Sequence, residues 1–173
     1  MLFQLSNLAI FARQPRNAGT VRSEGMPSRF VPDIVVTVPE ESRVALVVEA
    51  KTHLPNLART EDALKEYMIG MQCPVGLLVT PERLWIYRDA YLDRSPQSIK
   101  RIGEYATIPL WREAPPTEPR RFEVFVQRWL ERLPEEPTSS LPAGLGEALR
   151  EYVIPAVNQG EVRAAQPRWS RHS

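Results

Sequence analysis

Asp33, Glu49 and Lys51 are the residues whose types and spacing could do chemistry. They lie in the stretch VPDIVVTVPEESRVALVVEAK, residues 31–51. Asp33 stands near the outer end of one apolar run, and Glu49 and Lys51 close the next. Strands this rich in Val, Ile and Leu are usually buried, where charge is costly unless it is paired or bound to metal. Side chains alternate along a strand, so Ala45, Val47, Glu49 and Lys51 share one face and Val44, Leu46 and Val48 the other. Asp33, Val35 and Thr37 share a face of the first strand. A three-residue loop centred on Glu41 would set Asp33 opposite Glu49 and Pro39 opposite Arg43, with Cβ atoms of facing residues about 5 Å apart. Two carboxylates that close repel unless a cation joins them. Oxygen donors of this kind suit Mg²⁺ or Mn²⁺. Lys51 beside such an ion could orient or deprotonate a water, or stabilise charge developing on phosphorus. The bland alternative is a same-face ion pair at a strand end, contributing roughly 0–1 kcal/mol, with Asp33 bonding local backbone. Of the 22 basic residues 19 are Arg, so a Lys at position 51 calls for a reason beyond charge.

The elements that must position these residues follow from pattern. Residues 30–38 and 44–52 have strand propensity, with a turn at 39–42. Asn56 or Thr60 could cap a helix reaching about Gln72, with Leu64, Tyr67, Met68 and Met71 at helical spacing and Pro74 enforcing the end. Residues 75–80 and 84–88 read as a second hairpin, and 121–133 as a helix with Phe122, Phe125, Val126, Trp129 and Leu133 inward. Residues 89–120 read as mostly loop with a short strand near 107–111. Residues 2–13 suit a short helix and Thr20–Ser23 an edge strand. The order of helix and hairpins predicts an α/β (α+β mixed) fold with a central mixed four- to five-stranded sheet flanked by helices. The expected organisation is one domain over 1–133, followed over 134–173 by a linker, a helix at 147–157 and a flexible tail from 160.

An apolar fraction of 43% and a charged fraction of 25% place the chain among ordinary globular proteins. A net charge of +1 means that a nucleic-acid surface would have to be local. Arg13, Arg16, Arg22 and Arg29 give one such excess, and Arg163, Arg168 and Arg171 another. One cysteine, Cys73, and no leader signature fit a reducing cytoplasm. No apolar run approaches the roughly 18 residues of a membrane span. There is no Gly-rich phosphate loop, no serine nucleophile elbow, and too few His and Cys for a zinc site.

Pro32-Asp33, a spacer of fifteen residues, and Glu49-Ala50-Lys51 resemble the PD-(D/E)xK motif of restriction-endonuclease-like nucleases. With P-D-I-V-V, the helix containing L-K-E-Y-M, and G-L-L-V-T followed by L-W-I-Y, the chain resembles the nuclease domains of type I restriction enzymes over about a third of its length, residues 29–89. The resemblance implies a restriction-endonuclease-like fold in which Asp33, Glu49 and the carbonyl of Ala50 bind Mg²⁺ or Mn²⁺ and Lys51 assists the attacking water. It implies a nuclease acting on nucleic acid, DNA rather than RNA, and a homodimer for double-strand cuts. Two positions depart from the pattern. Residues 2–14 hold no acid where many relatives carry a further metal ligand, and Ala63 stands four residues before Tyr67 where many carry Gln. The competing reading is a weak or inactive nuclease-fold module for nucleic-acid binding or assembly. His53 reads as a surface residue, and Tyr67, Trp85, Tyr87 and Trp129 as core aromatics.

Overall fold

The computed structural model describes residues 30–166. Six strands form one sheet, in the spatial order β5-β4-β3-β2-β1-β6: β1 Ile34–Val38, β2 Arg43–Ala50, β3 Val75–Val79, β4 Arg83–Asp89, β5 Ile99–Ala106 and β6 Glu161–Ala164. All neighbours are antiparallel except β2 and β3, which run parallel. A parallel pair needs a crossover, and helix α1, Leu57–Met71, supplies it. Asn56 caps α1 by accepting from the Arg59 N–H at 3.0 Å. Gln72 ends it in the left-handed region at φ 52°.

The sheet is covered on both faces. α1 lays Leu64 and Met68 against Val35, Val47, Leu78, Trp85 and Tyr87. Gly76 on β3 makes this close approach possible, because a Cβ there would meet the Met68 sulfur. Helix α2, Pro119–Arg132, covers the opposite face with Phe122, Val126, Trp129 and Leu130. Leu145, Leu149, Val153 and Val157 join that same core. They come from a helical run made of α3, Ala143–Ala148, a π turn over Leu149–Val153, and α4, Ile154–Asn158. Pro155 accounts for the π turn: it has no N–H to offer the preceding turn, and its ring crowds the carbonyl four residues back.

The mixed sheet between helices agrees with the expected class, though it has six strands rather than four to five, and the two hairpins, α1 and α2 fall where pattern placed them. Four local expectations need correction. Residues 99–106 are strand β5, not loop. Its charged, largely exposed sequence IKRIGEYA suits a sheet edge and carries little apolar signal. Residues 107–111 are not a strand: Ile108–Leu110 is a 3₁₀ turn. Residues 161–164, expected as flexible tail, form β6 beside β1, and Gly160 lets the chain turn in against the backbone of Thr37. The helix expected over 147–157 starts at Ala143 and carries the π turn. The expected helix at 2–13, the edge strand at 20–23, Arg13, Arg16, Arg22 and Arg29, and tail residues Arg168 and Arg171 lie outside the described residues. Among the described residues no helix is long and apolar enough to cross a membrane.

Candidate metal and catalytic site

β1 and β2 are joined by the 3₁₀ turn Pro39–Glu41 and Ser42, which sits at φ 50°. The pairs next to the turn are Val38 with Arg43 and Thr37 with Val44. After an irregularity at Val36/Thr37 they become Val36 with Leu46, Val35 with Val47 and Ile34 with Val48. The turn therefore differs from the three-residue loop expected, and Arg43 faces Val38 rather than Pro39. The extra residue is Ala45, within β2. A bulge reverses the facing of what precedes it, so Val44 joins the α1-side core with Val47 while Ala45 lies in the α2-side core. Beyond the bulge the register is the expected one. One step further along it, Asp33 and Glu49 come together.

Backbone bonds fix this end of the sheet. The Asp33 N–H donates to the Val48 carbonyl at 3.1 Å, and the Asp33 carbonyl accepts from the Ala165 N–H at 3.0 Å. The Lys51 N–H donates to the Val79 carbonyl at 2.9 Å, tying the end of β2 to β3. Asp33 thus sits between β2 and β6, and Lys51 at the junction with β3. The Asp33 Oδ2 accepts from the Ala50 N–H at 2.9 Å and from Lys51 Nζ at 3.1 Å. Lys51 Nζ also reaches Glu49 Oε1 at 2.7 Å. One ammonium therefore bridges two buried carboxylates, Asp33 at 7% exposure and Glu49 at 4%.

The compensation is incomplete. Glu49 Oε2 is buried with no hydrogen-bond partner among the described residues. Burial, then the Asp33 charge, push the Glu49 carboxyl from 4.5 up to about 7, against the opposing pull of Lys51; Glu123 on α2 adds a smaller push. For Lys51, burial works against the charged form, yet Glu49 and Asp33 outweigh it and hold the ammonium above its ordinary range. The site has two acidic oxygen donors, one with a free buried oxygen, and a firmly charged lysine. Such an arrangement can accept a cation or a proton at Glu49 and can stabilise negative charge beside Lys51. Among the described residues no group of three or more His, Cys, Asp or Glu is placed to hold a metal ion. A divalent ion here would rest on two carboxylates, which Mg²⁺ commonly accepts when it keeps waters or phosphate oxygens as its other ligands.

His53 is exposed. Tyr67 packs edge-to-face on Phe30, ring centres 5.9 Å apart. Trp85 and Tyr87 are buried under α1, and Trp129 is buried on the inward face of α2. Cys73 is buried, its thiol pushed up to about 12 chiefly by burial, so it offers no thiolate. Sequence reasoning passed over another buried carboxylate, Glu61. Glu61 Oε1 accepts from Tyr87 Oη at 2.7 Å and from Arg101 Nε at 2.9 Å and Nη2 at 2.5 Å. The signal was present: Glu61 shares the inward stripe of Leu57, Leu64 and Met68, a charge where the core expects an apolar residue.

No family model matches the chain, and neither a curated protein nor a solved structure shows significant similarity to it.

Proposed function

We propose that the chain is a Mg²⁺- or Mn²⁺-dependent nuclease that hydrolyses phosphodiester bonds of DNA, on a restriction-endonuclease-like version of the α/β fold. The observation that carries this reading is the buried, unpartnered Oε2 of Glu49 beside Asp33 and Lys51. The donor set fits the ion: hard oxygen ligands, one of them unsatisfied, and a carboxyl whose pKa is raised for want of positive charge. Asp33 and Glu49 would hold it, with the Ala50 carbonyl as the further ligand that the sequence resemblance implies. When bound, the ion supplies a Lewis acid for the scissile phosphate and lowers the pKa of the attacking water.

The chain's own residues account for the rest. The Ala50 N–H fixes the Asp33 carboxylate against rotation. Lys51 is held charged by its neighbours, which favours orienting the water and neutralising the pentavalent phosphorus over removing a proton. Its half-exposed head leaves one side open to substrate. Two such sites would be needed for a double-strand cut, so a homodimer belongs to the proposal. A non-catalytic module for nucleic-acid binding or assembly is the second reading. What favours it is that Lys51 alone already bridges both carboxylates, with no third acidic ligand beside them among the described residues.

The test is nicking of supercoiled plasmid with Mn²⁺ or Mg²⁺, with Lys51→Ala prepared in parallel. The proposal expects metal-dependent nicking that Lys51→Ala loses. Binding without cleavage of duplex, single-stranded DNA or RNA with either ion would transfer the assignment to the second reading.

A further inference from the structure

Helix α2 presents a second feature that the cleavage site does not use. Arg120, Arg121, Arg128 and Arg132 line an open groove of about 420 Å³ whose floor includes Val124 and Phe125, with Glu113 as its acidic residue. Positions 120, 124, 128 and 132 repeat every four residues, so the groove follows one side of the helix. The Arg120, Arg121 and Arg128 side chains are exposed and make no hydrogen bond or ion pair with a described residue. Arg132 shares Glu136 with Arg112.

Two observations point to an anionic partner. First, Arg120 and Arg121 occupy the opening turn of α2, where the positive end of the helix dipole repels them. Glu118 offsets part of this, by accepting from their N–H groups at 3.0 and 2.8 Å and by the attraction of its exposed carboxylate for both guanidinium groups. An anion in the groove would relieve the repulsion. Second, the arginine positions run along the helix from its first turn to its last. Arg120 and Arg128 are eight residues apart, roughly 12 Å of helix axis. A DNA duplex sets about seven phosphate charges along that length. Arginine forks match phosphate oxygens in pairs. Glu123, on the same helix, is near enough to Glu49 to act on its charge, so α2 approaches the cleavage site as well.

We propose that the α2 groove is a phosphate-backbone track that holds nucleic acid for the site at Asp33, Glu49 and Lys51. The identity of the polymer rests on the nuclease reading; the groove itself rests on its arginines. The track is sequence-independent, because phosphate contacts position a duplex without reading its bases.

Binding of a labelled random-sequence DNA duplex is measured by fluorescence anisotropy over a series of salt concentrations, in EDTA so that no cleavage intervenes. The full chain is compared with the triple variant Arg120→Ala, Arg121→Ala, Arg128→Ala. A control removes equal charge at the β4–β5 edge, with Arg83→Ala, Arg94→Ala and Lys100→Ala. All six residues are exposed, and thermal melts check that both variants are folded. If each groove arginine meets one phosphate, the slope of log K against log salt becomes shallower by about 2.7 in the groove variant. Affinity should drop more than tenfold near 0.1 M salt, while the control stays close to the parent chain. Equal slopes for groove variant and control, or no binding by the parent chain, would overturn the track. Groove-dependent binding without metal-dependent nicking would instead sustain the track and remove the cleavage reading.

Discussion

Two buried carboxylates on the α1 side of one sheet have been treated in opposite ways. Glu61 receives donors from Tyr87 and Arg101; burial works against its charge, but those hydrogen bonds and the Arg101 guanidinium win, and its pKa falls below the ordinary range. Glu49 shares one lysine with Asp33, keeps a buried oxygen without a partner, and is pushed up to about 7. Both are glutamates in a core, so residue type and burial do not separate them. The count of donors does. A satisfied buried carboxylate fastens α1 to β4 and β5, whereas an under-satisfied one carries a standing cost that a folded protein keeps only where a ligand or proton relieves it.

The largest effect expected from breaking this contrast is at Lys51. Lys51→Ala should lower metal-dependent nicking by about 10²–10³-fold, the usual loss when one stabilising charge is removed from a transition state. It should also make the fold acid-preferring, since Asp33 and Glu49 then face each other without a counter-charge; melts at acid and alkaline pH would record it. Next comes Glu61→Ala, which strands the Tyr87 hydroxyl and the Arg101 guanidinium. It should cost about 2 kcal/mol, a fall of roughly 4–8 °C in Tm for a chain of this size, with nicking below the melting range unchanged. If nicking falls instead, the division between a structural and a reactive carboxylate is wrong.

Glu49→Gln should do the reverse, losing activity and gaining stability. With its pKa raised from 4.5 to about 7, folded Glu49 binds more protons than the unfolded chain between those values. Its contribution therefore declines as pH rises through that window and stays lowest above it. The variant should accordingly melt higher than the parent above about pH 7, by up to about 3 kcal/mol of stability, and the gap should close toward pH 4.5. A constant gap across that range would mean that Glu49 does not titrate there. The smallest effect is Tyr87→Phe, which removes one of the donors to Glu61 and should cost about 1 kcal/mol without touching the pH dependence of Glu49.

The candidate site was legible because its signal is a local contradiction: charges at the ends of apolar strands. Their facing was also legible, though through compensating departures. The expectation put the odd residue in the turn, and the structure puts it in β2 as the Ala45 bulge, so the register is restored before Asp33 and Glu49. The edge strands were not legible, because among the described residues β5 and β6 are paired on one side only and carry the charged, alternating sequences IKRIGEYA and EVRA that resemble loop. Glu61 was hidden for another reason. Its partners Tyr87 and Arg101 come from strands 26 and 40 residues away, and no local pattern reports such a meeting. The π turn traces to Pro155, which was visible, but the tertiary contacts that keep the helix running past it were not.

The central claim is that the free oxygen of Glu49 awaits a cation and that Glu61 does not. Titration of the parent chain, Glu49→Gln and Glu61→Gln with Mn²⁺ in a calorimeter tests it most directly. The account predicts saturable binding by the parent chain, loss of that binding in Glu49→Gln, and binding close to the parent's in Glu61→Gln. No binding by the parent, or equal binding by parent and Glu49→Gln, would contradict it.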